Sequence, residues 1–82
     1  MENREEIYQR LIQILAAEFE IEESAVSPDM QLYQDLDLDS IDAIDLMVRL
    51  QEIVGKKIDP ETFKSVRTVD DVVNAIEKIL NA

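Results

Sequence analysis

The sequence predicts a small all-α domain, a four-helix bundle of three main helices and one short helix, with a long loop between helices one and two. Three observations favour this fold. The chain has 82 residues, a length that suits a single domain over residues 1–82. It contains one Gly and two Pro, too few for the tight turns of an all-β fold. Its apolar residues recur at helical spacing.

The first helix is predicted from about Arg4 to Phe19. Its apolar face is formed by Ile7, Leu11, Ile14, Leu15 and Phe19, which recur with the period of a helix. A connection from Glu20 to Asp39 follows, and a connection this long in a compact domain is often functional. Five of its apolar residues are expected to pin it to the core: Ile21, Val26, Leu32, Tyr33 and Leu36.

The second helix is predicted from about Ser40 to Val54, and Gly55, which suits a left-handed cap, should end it. Its core face is predicted to be Ala43, Leu46, Met47, Leu50, Ile53 and Val54. Nearly opposite lies a second apolar group of Ile41, Ile44 and Val48, flanked by Asp42, Asp45 and Glu52. Because a chain this short can hardly bury both sides, we expect the second face to contact a partner rather than to form extra core.

Two further helices are predicted near the carboxyl end. Asp59 as N-cap and Pro60 as first residue indicate a short helix that reaches Phe63. Thr68 is expected to cap the last helix, with Asp71 at the reciprocal capping-box position. The buried stripe of this last helix is predicted to be Val69, Val72, Val73, Ile76, Ile79 and Leu80.

Composition excludes several classes of function. The 19 acidic and 8 basic residues give a net charge of −11, which disfavours nucleic acid as a partner. Cys and His are absent, so no disulfide, thiolate or imidazole catalyst, or Cys/His metal site is available. The longest apolar run, residues 14–17, is too short for a membrane span, and the N-terminus lacks the features of a signal peptide. These observations predict a cytoplasmic domain that is not an enzyme by itself.

The segment from Asp35 to Leu46 carries five carboxylates and no Lys or Arg. Its first three aspartates match positions 1, 3 and 5 of an EF-hand calcium loop. Positions 6 and 12, however, hold Ser40 and Leu46 where that loop needs Gly and Glu. A calcium sensor is therefore disfavoured, although weak binding of divalent ions to the cluster stays open.

Two other interpretations of this segment compete. Asp39 could be only an N-cap and Asp42 only a first-turn residue that matches the helix dipole. Alternatively, Ser40 is a modified serine, because a phosphate ester on its hydroxyl would face the free N–H groups at the start of the helix. Ser40 cannot be the nucleophile of a catalytic triad, since the chain has no His to act as its base.

The segment reads D-L-D-L-D-S-I-D-A-I-D-L and resembles the acyl carrier protein family, whose pattern is D-L-G-x-D-S-L-x-x-[VI]-[ED]-L. The resemblance extends to the first-helix stripe, the long loop, residues 58–61 and residues 66–71. Asp37 stands where the family usually has Gly, and Ile41 where Leu is common. These two departures indicate a specialised carrier rather than the housekeeping carrier of fatty-acid synthesis.

This resemblance implies that Ser40 receives 4′-phosphopantetheine from coenzyme A through a Mg²⁺-dependent phosphopantetheinyl transferase, which Asp39 would help to dock. The chain would then be a monomeric carrier of acyl thioesters in fatty-acid or specialised polyketide or lipid biosynthesis. By the same resemblance, the second helix would be recognised by a ketosynthase, an acyltransferase and related enzymes. The recognition residues would be Ile41, Asp42, Ile44, Asp45, Val48 and Glu52.

Two alternatives to an acyl carrier stay open from the sequence. One is a peptidyl or aryl carrier of a nonribosomal-type pathway. The other belongs to a different class, an acidic helical interaction module that has no prosthetic group and does not need Ser40. Lys56 and Lys57 receive no site role and are expected only to ease local charge repulsion.

Overall fold

The structure, a computed structural model, describes residues 3–81. These residues form α1 (Arg4–Phe19), α2 (Ser40–Val54), α3 (Pro60–Lys64) and α4 (Val69–Asn81), with a 3₁₀ turn at Glu23–Ala25 in the long loop. The predicted all-α fold is confirmed, and α3 extends one residue beyond its predicted end. The terminal residues 1, 2 and 82 of the predicted domain lie outside the described residues.

Local capping groups account for where the helices begin and end. The Asn3 carboxamide oxygen accepts a hydrogen bond from the Glu6 N–H at 2.9 Å and caps α1. Asp59 caps α3 by accepting from the Glu61 N–H at 3.0 Å. Gly55 ends α2 with φ of +71°, a left-handed conformation that glycine adopts without steric cost. These three helix ends are therefore set by residues within one turn of them.

One hydrophobic core joins the helices and the loop. Helix α1 packs against α4 and α2, and α3 packs against α2 and α4. The fully buried large side chains of this core are Ile7, Leu11, Leu15, Leu32, Leu46, Ile58, Val69, Val72, Val73 and Ile76. Several residues predicted to be core are only half-buried against this cluster, namely Met47, Ile53, Val54, Ile79 and Leu80.

The long loop is tied to the core by leucines and by backbone hydrogen bonds. Leu32, Leu36 and Leu38 are buried. The Leu32 N–H donates to the Arg67 carbonyl at 2.9 Å, and the Leu38 N–H donates to the Leu32 carbonyl at 3.0 Å. The predicted anchoring by Tyr33 is wrong, because this residue is 45% exposed. Leu32 takes the inward position, and the adjacent Tyr33 lies at the surface.

Ion pairs connect the helices at the surface. The Arg4 guanidinium bonds the Glu77 carboxylate at 3.1 Å and the Asp70 carboxylate, and thereby links α1 to α4. All three side chains are at least one-third exposed, so each pair contributes little to stability. Burial of the apolar core therefore provides most of the stabilisation.

Candidate functional site

Ser40 is the first residue of α2, and its side chain is exposed to solvent. The chain enters this helix through Asp39, whose backbone is extended (φ −107°, ψ −176°). Buried Leu38, one residue earlier, fixes the end of the loop to the core. The hydroxyl of Ser40 is therefore presented to solvent from a firmly held backbone.

A reciprocal capping box holds the start of α2. The Asp39 carboxylate accepts from the Asp42 N–H at 2.8 Å, and the Asp42 carboxylate accepts from the Asp39 N–H at 3.2 Å. The N-cap role considered for Asp39 is thus observed, and Asp42 lies in the first turn as considered but also bonds the N-cap backbone. Within residues 3–81, the N–H groups of Ser40 and Ile41 have no hydrogen-bond acceptor, which leaves two donors at the positive end of the helix dipole.

Asp37, three residues before Ser40, has a left-handed backbone with φ of +58°. This is the position at which the family pattern usually has Gly. The loop therefore keeps a conformation that favours glycine even though an aspartate occupies it. Asp is one of the few other residues that enter this region at modest cost.

An apolar cavity of about 290 Å³ opens beside Ser40, between α2 and α3. It is lined by Tyr33, Ser40, Ala43, Ile44, Met47, Pro60, Phe63 and Lys64. The sequence pattern did not indicate this cavity, because its far wall comes from the short helix α3. The one available signal was Phe63, the large apolar residue of that helix.

The second apolar face of α2 is exposed, as predicted. Ile41, Ile44 and Val48, which we call the α2 strip, are 74%, 59% and 40% exposed. Such a cluster of large apolar side chains is typical of a contact surface.

The acidic residues beside the α2 strip differ in their surroundings. Asp45 lies 3.7 Å from the Arg49 guanidinium, which also contacts Glu18 at 3.4 Å. Asp42 is held in the capping box. Glu52 is exposed and makes no ion pair with any residue among 3–81.

The aspartates that suggested a calcium loop do not form one here. The Asp35 carboxylate accepts from the Gln31 N–H at 2.7 Å, and that of Asp39 serves as the cap of α2. Among residues 3–81, no three carboxylates come together in a group that could hold a metal ion. None of the helices in this part of the chain has the length and apolarity needed to cross a membrane.

Comparisons with known proteins agree on one family. The family model described as "Phosphopantetheine attachment site" matches residues 9–76. Acyl carrier protein 2 of Ralstonia nicotianae is 49% identical over 77 residues, which cover 94% of this chain and 95% of that protein. The meromycolate extension acyl carrier protein of Mycolicibacterium smegmatis is 37% identical over 76 residues, covering 93% of this chain and 77% of that protein.

Solved structures show the same fold. The acyl carrier protein of Enterococcus faecalis superposes with a TM-score of 0.77 at 29% identity and covers 95% of this chain and 98% of its own. The acyl carrier protein of Thermotoga maritima gives a TM-score of 0.84 at 23% identity, with 95% of this chain and 91% of its own covered.

Proposed function

The chain belongs to the acyl carrier protein family, and from that premise we propose that Ser40 is the residue to which 4′-phosphopantetheine is attached. Members of this family carry acyl groups in fatty-acid or related biosynthesis on that covalently bound group. When bound, the group supplies a terminal thiol that holds acyl chains as thioesters. The observation that carries the proposal is the exposed Ser40 hydroxyl at the start of α2, within the matched residues 9–76.

The surroundings of Ser40 fit a phosphodiester on its hydroxyl. The unpaired N–H groups of Ser40 and Ile41 and the dipole of α2 favour a negative charge there. The apolar cavity beside Ser40 offers shelter from water for an acyl chain held close to this residue. The chain itself has no Cys, so a carrier thiol must come from an attached group.

Asp39 is proposed to assist the transferase that modifies Ser40. One of its carboxylate oxygens accepts the Asp42 N–H, and the other makes no hydrogen bond within residues 3–81. An exposed carboxyl oxygen beside the target hydroxyl suits the Mg²⁺ that a phosphopantetheinyl transferase uses, because this ion prefers oxygen ligands.

The α2 strip is proposed to be the surface that acyl-processing enzymes such as a ketosynthase or an acyltransferase contact. Its three exposed apolar side chains supply contact area. The flanking carboxylates of Asp42, Asp45 and Glu52 attract basic patches and speed association. Contacts of this kind should be transient and weakened by salt.

We further propose that residues 1–82 act as one non-catalytic, monomeric carrier domain in the cytoplasm. One core cluster joins all four helices, and the family match spans most of the chain. Without His or Cys, Ser40 has no imidazole base with which to act as a nucleophile of its own.

Modification of Ser40 is tested by incubating the apo protein with coenzyme A, Mg²⁺ and a promiscuous phosphopantetheinyl transferase. We expect intact-mass spectrometry to show one phosphopantetheine adduct. Ser40→Ala should abolish the adduct, and the control Ser24→Ala, at an exposed serine of the 3₁₀ turn, should keep it. A wild-type chain that several transferases leave unmodified, or an adduct on Ser40→Ala, would contradict the proposal.

A further inference from the structure

Two lysines, Lys56 and Lys57, follow Gly55 at the opposite end of α2 from Ser40. The Lys56 ammonium donates to the Ile79 carbonyl at 3.3 Å, and Lys57 makes no ion pair with any residue among 3–81. An open groove of about 320 Å³ adjoins them. The groove is lined by Val48, Gln51, Glu52, Gly55, Lys56 and Lys57.

This groove continues the α2 strip. At 100° per residue, Glu52 and Gly55 lie on the same side of the helix as Ile44 and Val48. Val48 belongs to both the strip and the groove. One surface therefore runs along the whole of α2, from Ser40 to the two lysines.

The two ends of this surface carry opposite charge. Asp37, Asp39 and Asp42 form its acidic end, where residues 35–48 contain no Lys or Arg and Lys64, across the cavity from Ser40, is paired with Glu61. Lys56 and Lys57 form its basic end. Helix α2 has 15 residues, which makes it about 22 Å long. The Debye length at physiological ionic strength is about 8 Å, so each end attracts its own counter-charge largely independently of the other.

We propose that this surface docks an acyl-processing enzyme of mixed charge. The docking face of that enzyme would place cationic side chains at the acidic end, apolar side chains on the α2 strip, and a carboxylate against Lys57. This inference rests on the proposed carrier function and adds the requirement for a partner carboxylate. Glu52 lies between Val48 and the lysines. It repels a partner carboxylate that is placed beside Val48 instead of beside the lysines, and this repulsion fixes the register of the partner along α2.

A second copy of the chain is a less suitable occupant. In an antiparallel arrangement about a twofold axis, the acidic end of this surface in each copy would face the basic end in the other. Two molecules of net charge −11 each repel one another, however, and the strip offers only three exposed apolar residues against that repulsion. The complementary face must therefore belong to a protein without this excess of acid.

The proposal is tested with two synthetic amphipathic helical peptides of identical composition. One has its arginines at one end and its glutamates at the other, and the second peptide alternates them. We expect the wild-type chain to bind the segregated peptide about fivefold more tightly than the alternating peptide. One or two exposed ion pairs can supply a difference of this size. Lys57→Glu should remove this preference. Arg10→Glu, the same charge change at an exposed position of α1, should retain it.

Binding is measured by fluorescence anisotropy, and transferase loading of Ser40 is measured on the same samples. Equal affinity of the wild-type chain for the two peptides would overturn the proposal, and so would an equal loss of the preference in Lys57→Glu and Arg10→Glu. A wild-type dimer in sedimentation that Lys57→Glu dissociates would also overturn it. Lys57→Glu that loads normally but loses the preference supports it and shows that the variant is folded. A wild-type chain that shows the preference but is not loaded would instead contradict the attachment at Ser40.

Discussion

Asp37 determines how the loop reaches Ser40, because its left-handed backbone (φ +58°) turns the chain toward buried Leu38. A non-glycine residue in this conformation carries a steric cost that glycine avoids. Asp37 also adds a negative charge to a segment that already has four other carboxylates in residues 35–46. The residue therefore contributes charge near Ser40 at some expense in stability.

We expect Asp37→Gly to raise the free energy of unfolding by about 0.5 kcal/mol more than Asp37→Asn does. Both variants remove the negative charge, but only glycine also removes the steric cost of the left-handed backbone. Urea denaturation of the wild type and the two variants measures the difference. Equal stability of the two variants would show that the charge, and not the backbone, is responsible.

At the scale of the element, the start of α4 depends on one carboxylate. The Asp71 side chain accepts hydrogen bonds from the Arg67 and Thr68 N–H groups at 3.1 Å each, and the Thr68 hydroxyl accepts from the Asp71 N–H at 3.1 Å. The predicted capping box is therefore confirmed. These bonds, first that from Thr68 and then that from Arg67, lower the pKa of Asp71 from its usual 3.8. The same segment holds the loop, since the Leu32 N–H bonds the Arg67 carbonyl.

Because the pKa of Asp71 is lower in the folded state, its carboxylate stabilises the fold above pH 3.8, and this contribution is lost as the pH falls through the folded-state pKa. We expect Asp71→Asn to lower the free energy of unfolding by about 1 kcal/mol at pH 7. The difference from wild type should shrink on acidification to pH ~2.5.

The control for Asp71→Asn is Glu52→Gln, which removes an acidic group that makes no ion pair within residues 3–81. We expect Glu52→Gln to cause no loss of stability at pH 7. A loss from Asp71→Asn that stays constant with pH would argue against the role of the carboxylate charge.

At the scale of the whole molecule, the net charge of −11 on 82 residues acts against the compact state. The arginines relieve part of this repulsion, since Arg4 contacts Asp70 and Glu77, and Arg49 contacts Glu18 and Asp45. The acidic end of α2 has no Lys or Arg of its own in the sequence. The charge that is expected to attract enzymes therefore destabilises the free carrier.

We expect the melting temperature to rise as NaCl increases from about 0.02 to 0.3 M, the range over which the Debye length falls below the spacing of surface charges. Mg²⁺ at equal ionic strength should raise it further, because a divalent ion associates more strongly with neighbouring carboxylates. Thermal melts by circular dichroism measure both effects. A melting temperature that does not change with salt would show that self-repulsion is unimportant here.

The sequence by itself determined the helices and the position of Ser40. Both ends of α2 and the start of α4 depend on the caps Asp39, Gly55 and Thr68, and these signals act within one turn of the chain. Helical periodicity likewise separated the buried face of α2 from the α2 strip. These features were predictable because residues a few positions apart decide them.

Only the tertiary structure decided what surrounds Ser40. The cavity beside it exists because α3 packs against α2 and brings Phe63 and Lys64 to its wall. Tyr33 lies at the surface because its neighbour Leu32 takes the buried position, where the Leu32 N–H donates to the Arg67 carbonyl. These contacts join residues distant in sequence, and their geometry is set by how side-chain volumes fill the shared core rather than by any local pattern.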